Sequence, residues 1–82
     1  MSTRDRVRAF IAETFFVDTF ADDESFLVSG IIDSTGMMEL VLFLEQEFEI
    51  PIRDVDLTPD NLDSVEKVSA FVARKRRAAD AA

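Results

Sequence analysis

The stretch that decides the fold is DSTGMMELVLFLEQEFE, residues 33–49. Its apolar residues recur every three or four positions, the spacing of one helical face: Met37, Met38, Val41, Leu44 and Phe48. Three more apolar residues widen that face: Leu40, Leu42 and Phe43. We therefore predict a helix from Ser34 or Thr35 to Glu49. Its apolar surface is broad enough to be buried on two sides or to be partly exposed for a partner.

Two further helices flank the central one. Ser2 or Thr3 can cap the first, and its apolar stripe has helical spacing: Val7, Phe10, Ile11 and Phe15. The last helix begins at Asp63 or Ser64, where Asp63 and Glu66 resemble a capping box. Its apolar residues also keep one face: Val65, Val68, Phe71 and Val72.

The two connections between these helices differ in character. Between Asp18 and Asp33 the helical period fails, and apolar residues are expected to anchor a long loop to the body of the protein: Phe26, Leu27, Ile31 and Ile32. After the central helix, Pro51 favours an extended exit over residues 50–52. Thr58 as cap and Pro59 at the first helical position then predict a single helical turn.

These elements predict an all-α fold, a small four-helix bundle with three longer helices and one short one. The chain has 82 residues, which is the size of one domain. We expect a single domain over residues 1–82, with its core at about 4–75 and a frayed tail at 76–82.

The residue inventory excludes most catalytic chemistry. The chain has no cysteine and no histidine, which excludes disulfides, zinc sites built on those residues, thiol nucleophiles and Ser-His pairs. Glu45, Glu47 and Glu49 do not converge, because a spacing of two places successive residues about 200° apart on a helix. We therefore expect neither an enzyme nor a metal site.

Charge is unevenly distributed along the chain. The net charge of −8 divides into +2 over residues 1–8, −14 over residues 9–66 and +4 over residues 67–82. So acidic a centre repels nucleic acid and anionic lipid and attracts basic proteins. The basic run at 74–77 suits the negative end of a helix dipole.

No signal-peptide stretch is visible, so we expect a cytoplasmic protein without membrane insertion.

Asp33 and Ser34 form the candidate site. Ser34 would lie at the positive end of the central helix, where unpaired N–H groups favour a phosphate on its hydroxyl. Asp33 adds a carboxylate that can orient an incoming group or help hold a divalent metal brought by another enzyme. Without a neighbouring base, Ser34 is a poor nucleophile and a better site for modification. The alternative is that either residue only caps the helix.

The chain resembles the acyl carrier protein family over residues 4–75. The resemblance rests on Phe26, the Asp33-Ser34 pair and several later matches: Glu39-Leu40, Leu44-Glu45-Gln46-Glu47-Phe48 and Ile50-Pro51-Ile52. It implies a four-helix bundle with one short helix. It also implies a 4′-phosphopantetheine arm on Ser34, added from coenzyme A by a phosphopantetheinyl transferase. The thiol of that arm holds acyl groups as thioesters, and the protein delivers them to partner enzymes.

The resemblance also implies where partners and cargo bind. Cargo would lie in a groove between the second and third helices of the bundle. Partners would dock on exposed residues of the acidic central helix: Thr35, Met38, Glu39, Leu42 and Glu45. Ordinary core packing is the alternative for Met38 and Leu42. The implied partners are an adenylating acyl ligase, a condensing enzyme or an acyltransferase, and the carrier itself is expected to be a monomer.

Departures from the family pattern favour a specialised pathway over housekeeping fatty-acid synthesis. Thr35 stands where leucine commonly follows the modified serine, Phe43 where alanine is frequent, and Glu49 where a glycine or small polar residue is usual. A lipid or secondary-metabolite pathway is therefore expected. An aminoacyl, D-alanyl or peptidyl carrier is an alternative within the class. An acidic helical adaptor for a basic protein, with Ser34 only a cap, is the alternative from another class.

Overall fold

The computed structural model describes residues 2–81, with side chains through residue 78. All regular structure within that range is helical. The helices are α1 (Thr3–Phe15), α2 (Phe26–Ser29), α3 (Ser34–Phe48), α4 (Pro59–Leu62) and α5 (Val65–Ala81), with a single 3-10 turn at Asp54–Asp56. The all-α prediction, the three longer helices and the short α4 are confirmed. The short α2 and the 3-10 turn were not predicted.

Residues from all three longer helices and from the connections form one core. Its fully buried side chains are Val7, Ile11, Phe26, Ile32, Leu40, Leu44, Val65, Val68 and Val72. The helix α5 packs against α1 and α4. The helices α1 and α3 run antiparallel, because Arg6 pairs with Glu47 at one end while Phe15 lies beside Gly36 at the other.

The buried face of α3 is narrower than its apolar sequence suggests. Met38 and Leu42 are 52% and 54% exposed, and Leu40 takes the central buried position instead. The predicted stripe containing Met38 is therefore wrong at that residue. The reason is the helical period, since Leu40, Leu44 and Phe48 are spaced by four and share one side of the helix.

The predicted loop at 18–33 contains a short helix. Ser25 caps α2 by accepting a hydrogen bond from Val28 N, and Gly30 ends it with a left-handed backbone, φ 79°. Phe26 and Ile32 are buried as expected, whereas Leu27 is 46% exposed and contributes little to holding this segment against the core. A four-residue helix is too short to show a period, which is why the sequence did not reveal it.

The start of α5 differs from the predicted capping box. Ser64 Oγ accepts from Lys67 N at 3.1 Å and makes the cap, while the Asp63 carboxylate faces α2. There it accepts from the Ser25 hydroxyl and, at 3.0 Å, from Leu27 N. The Asp63–Glu66 capping box is therefore wrong, because Asp63 joins two segments that are distant in sequence.

At its other end, α5 continues to Ala81. The helix therefore includes residues 76–81, part of the stretch expected to form a frayed tail, and this stretch contains alanines, the residue with the highest helix propensity. Residue 82 lies outside the described residues. Among the described helices, none is long and apolar enough to cross a bilayer.

Candidate functional site

Ser34 is the first residue of α3 and its side chain is exposed. The cap before it is Asp33, whose Oδ1 accepts from Gly36 N at 2.7 Å and whose carbonyl accepts from Met37 N at 2.9 Å. The sequence left open whether Asp33 or Ser34 caps the helix, and the structure shows that Asp33 is the cap. Ser34 itself does not make the cap, and its exposed side chain lies at the positive end of the helix.

A close approach between α1 and α3 explains the glycine next to this site. A Cβ at position 36 would lie 2.7 Å from Phe15 Cε1 and 3.1 Å from Ile32 Cγ2. Glycine therefore lets the end of α1 and the preceding loop contact the first turn of α3, at the expense of helix propensity. From sequence, Gly36 was only a weak helix former, and no local pattern indicated the Phe15 contact.

An apolar groove of about 200 Å³ begins beside Ser34. It runs between α3 and the segment 57–62, with Leu27 of α2 also lining it. Its lining residues are Leu27, Ser34, Met37, Met38, Val41, Leu57, Thr58, Pro59 and Leu62. Ser34 and Thr58 supply its only polar side chains among the described residues. From sequence, the groove was expected only through the family resemblance, and the wall formed by Leu57, Thr58 and Pro59 was not predicted.

The outer wall of the groove is held to α5 by polar contacts. Lys75 Nζ lies 2.6 Å from Asp56 Oδ2, and Arg74 donates to Asn61 Oδ1 at 2.7 Å. The hydrogen bond from Lys75, followed by one from Arg53 N, lowers the pKa of Asp56 below its ordinary value of 3.8. These contacts fix the segment 53–62, which has few buried side chains of its own.

The residues predicted for partner docking do share one face of α3. Thr35, Met38, Glu39 and Leu42 are exposed and Glu45 is half-buried, all within an arc of about 120°. Core packing is therefore wrong for Met38 and Leu42. Ser34 lies between this face and the groove, so a group attached to its hydroxyl can turn either into the groove or outward.

The face of α3 that was predicted for partner docking carries carboxylates that no ion pair of the described residues neutralises. The ion pairs of the described residues are Arg4 with Asp22, Arg8 with Asp22, Arg6 with Glu47, and Lys75 with Asp56. None of them includes Glu39 or Glu45. The cations of α1 thus neutralise carboxylates away from this face, which leaves it suited to a basic partner surface.

Three comparisons bear on the site. Residues 5–72 match the family model described as the phosphopantetheine attachment site, a span that includes Ser34 and both walls of the groove. The chain is 30% identical over 70 residues to the D-alanyl carrier protein of Streptococcus sanguinis (strain SK36), covering 83% of this chain and 89% of that protein. It is similar in fold to the crystal structure of an acyl carrier protein from Thermotoga maritima, with a TM-score of 0.70, 24% identity and 95% of each chain covered.

Proposed function

The chain belongs to the phosphopantetheine attachment family of carrier proteins, and from this premise we propose that Ser34 is the residue that bears its 4′-phosphopantetheine arm. It is a carrier and not an enzyme. The observation that carries the assignment is the exposed Ser34 side chain at the first residue of α3, beside an apolar groove. When bound, the arm supplies a thiol, the group that a chain without cysteine lacks.

The residues around Ser34 suit a phosphate ester. The first N–H groups of a helix have no intrahelical partner and point toward its N-terminus, where the dipole favours negative charge. Asp33 fixes this geometry by capping, because it engages Gly36 N and so begins the helix at Ser34. We assign Asp33 the role of orienting Ser34 within the motif.

We infer that the cargo is an acyl group of modest length. The groove beside Ser34 is apolar and, at about 200 Å³, smaller than the roughly 300–1,000 Å³ of ordinary small-molecule pockets. Each methylene buried in it contributes about 0.8 kcal/mol. A short acyl chain can therefore be shielded there, and a long one would extend beyond it.

A D-alanyl or other aminoacyl cargo is the second candidate, and the D-alanyl carrier protein among the relatives favours it. The groove itself argues for the first candidate. No carboxylate of the described residues lines it, so the ammonium group of an aminoacyl cargo would have no counter-ion inside. An aminoacyl cargo would stay in solvent.

The proposed partners follow from this chemistry. A phosphopantetheinyl transferase adds the arm, and an adenylating acyl ligase, a condensing enzyme or an acyltransferase loads or uses it. We propose that they dock on the acidic face of α3 formed by Thr35, Met38, Glu39, Leu42 and Glu45. The departures at Thr35, Phe43 and Glu49 support a specialised lipid or secondary-metabolite pathway.

Intact mass after incubation with coenzyme A, magnesium and a broad-specificity phosphopantetheinyl transferase tests the attachment site. We expect the wild type to gain one phosphopantetheinyl group and Ser34→Ala to gain none. Ser29→Ala is the matched control, since Ser29 is an exposed serine at the end of α2 and its loss should leave the gain intact. Equal modification of Ser34→Ala and wild type would refute the assignment.

Thioester hydrolysis distinguishes the two cargo classes. With the arm in place, we expect the carrier to slow hydrolysis of a short acyl thioester relative to the same thioester on free phosphopantetheine. Hydrolysis of a D-alanyl thioester should show no such protection, because only the acyl chain enters the groove. Leu57→Ala, which opens the groove wall, should accelerate hydrolysis of the acyl thioester. Val55 is exposed, lies two residues before Leu57 and does not line the groove, so Val55→Ala should leave the rate of acyl thioester hydrolysis unchanged. Acyl hydrolysis that is unaffected by Leu57→Ala would place the acyl chain in solvent.

A further inference from the structure

Phe16 combines two unfavourable features in one residue. It is the C-cap of α1 with a left-handed backbone, φ 57° and ψ 49°, a conformation in which a Cβ is strained and glycine is preferred. Its side chain is 91% exposed, so the ring gains almost nothing from burial in the folded chain. Contacts within the described structure therefore do not explain why a phenylalanine stands here.

Among residues 2–81, the other non-glycine residue with a left-handed backbone is Glu49. It is the C-cap of α3 with φ 52°, so its backbone is under the same strain as that of Phe16. Its side chain is charged, however, and exposure of a carboxylate is favourable. Of these two described residues, only Phe16 combines a strained backbone with a large apolar side chain that is exposed to solvent.

Phe16 lies at the same end of the molecule as Ser34. The Phe15 ring contacts the first turn of α3 at Gly36, and Phe16 is the next residue along the chain. An enzyme interface of ordinary size buries about 800 Å² per partner, about a sixth of the 5137 Å² surface of this chain. A partner that reaches the Ser34 hydroxyl therefore covers much of this end.

The surroundings of Phe16 are acidic. Glu13 and Asp18 are exposed, and neither takes part in an ion pair of the described residues. The carbonyl end of α1 adds partial negative charge at the same place. A complementary partner surface would present basic side chains around an apolar pocket that accepts the ring, the arrangement typical of an aromatic anchor with a polar rim.

We propose that Phe16 is a docking residue for the phosphopantetheinyl transferase that modifies Ser34, its ring entering an apolar pocket ringed by Lys or Arg side chains. This inference rests on the proposed function, because it presumes that Ser34 receives the arm. Phe16 touches no reacting atom and acts through binding alone. Its loss should therefore raise the KM for the carrier and leave kcat unchanged.

The test compares Phe16→Gly, Glu49→Gly and wild type as substrates of a broad-specificity transferase. Both glycine variants relieve backbone strain, so each should raise the thermal midpoint by roughly 2–6 °C. Only Phe16→Gly should raise KM, by about fivefold or more, as loss of an interface aromatic does. Phe16→Leu, which keeps an apolar side chain, should recover part of the lost affinity.

Three results would contradict the docking role of Phe16, and they can be told apart. An unchanged KM for Phe16→Gly, with wild type modified normally, overturns this inference and leaves the proposed function intact. A lower thermal midpoint for Phe16→Gly also overturns it, because the ring would then stabilise the chain itself. A wild-type chain that the transferase leaves unmodified overturns the proposed function and this inference together.

Discussion

Replacing Gly36 by alanine tests the packing that positions the first turn of α3. Helix propensity favours alanine over glycine by about 1 kcal/mol. A steric clash opposes this gain, because the new Cβ would lie 2.7 Å from Phe15 Cε1 and 3.1 Å from Ile32 Cγ2. Overfilling of a packed site costs about 1–3 kcal/mol. Neither neighbour moves freely, since Ile32 is 1% exposed and Phe15 packs edge-on against Phe10.

We expect the steric effect to outweigh propensity, so Gly36→Ala should lower the free energy of unfolding by about 1 kcal/mol. Urea denaturation at neutral pH measures this directly. Thr35→Ala is the matched control, because Thr35 is exposed at the adjacent position and only the propensity gain applies there. That variant should be more stable than wild type by a few tenths of a kcal/mol.

A double-mutant cycle with Phe15→Leu isolates the contact. Shortening the ring should relieve the clash, giving a favourable coupling of about 1 kcal/mol between positions 15 and 36. Gly30→Ala should show no such coupling, because nothing lies within 4 Å of a Cβ there and its cost comes from φ 79° alone. A Gly36→Ala variant as stable as Thr35→Ala would refute the reasoning.

Three further substitutions probe other contacts by urea denaturation. Lys75 lowers the pKa of Asp56, so this pairing stabilises the fold above the ordinary carboxyl range and is lost as pH falls through the lowered pKa. Asp56→Asn should therefore have a lower free energy of unfolding than wild type at neutral pH, and that free energy should fall less steeply as the pH is lowered. The same pH dependence in the variant and in wild type would contradict this. Ser69→Ala should be neutral or more stable by up to about 1 kcal/mol, because the buried Ser69 hydroxyl has no partner among the described residues; a clear loss of stability would reveal one. Asp63→Ala should lose about 2 kcal/mol with the hydrogen bonds from Ser25 and α2, and wild-type stability would show them to be dispensable.

The sequence was most informative where a pattern is local. Period and caps predicted the start of α1 and both ends of α3 to within about a residue, because Ser2 and Asp33 act within one turn of the helices they cap. The exposure of Ser34 followed from its place at a helix start. Thr58 and Pro59 predicted α4 for the same kind of reason, although the Thr58 side chain makes no capping bond.

The features that the sequence did not reveal depend on residues distant along the chain. Asp63 looked like a local cap, yet its partners lie at Ser25 and Leu27, 38 and 36 residues away. The Gly36 contact with Phe15 and the groove wall at 57–59 are likewise tertiary. No single-sequence period encodes such contacts, because they depend on how the helices assemble.

Peptide mapping of the chain after treatment with a phosphopantetheinyl transferase, coenzyme A and magnesium tests the attachment of the arm most directly. Fragmentation of the modified peptide identifies the residue that carries the group. We expect one phosphopantetheinyl group per chain, attached to Ser34. A chain that stays unmodified, or one that carries the group on a different serine, would contradict the central claim.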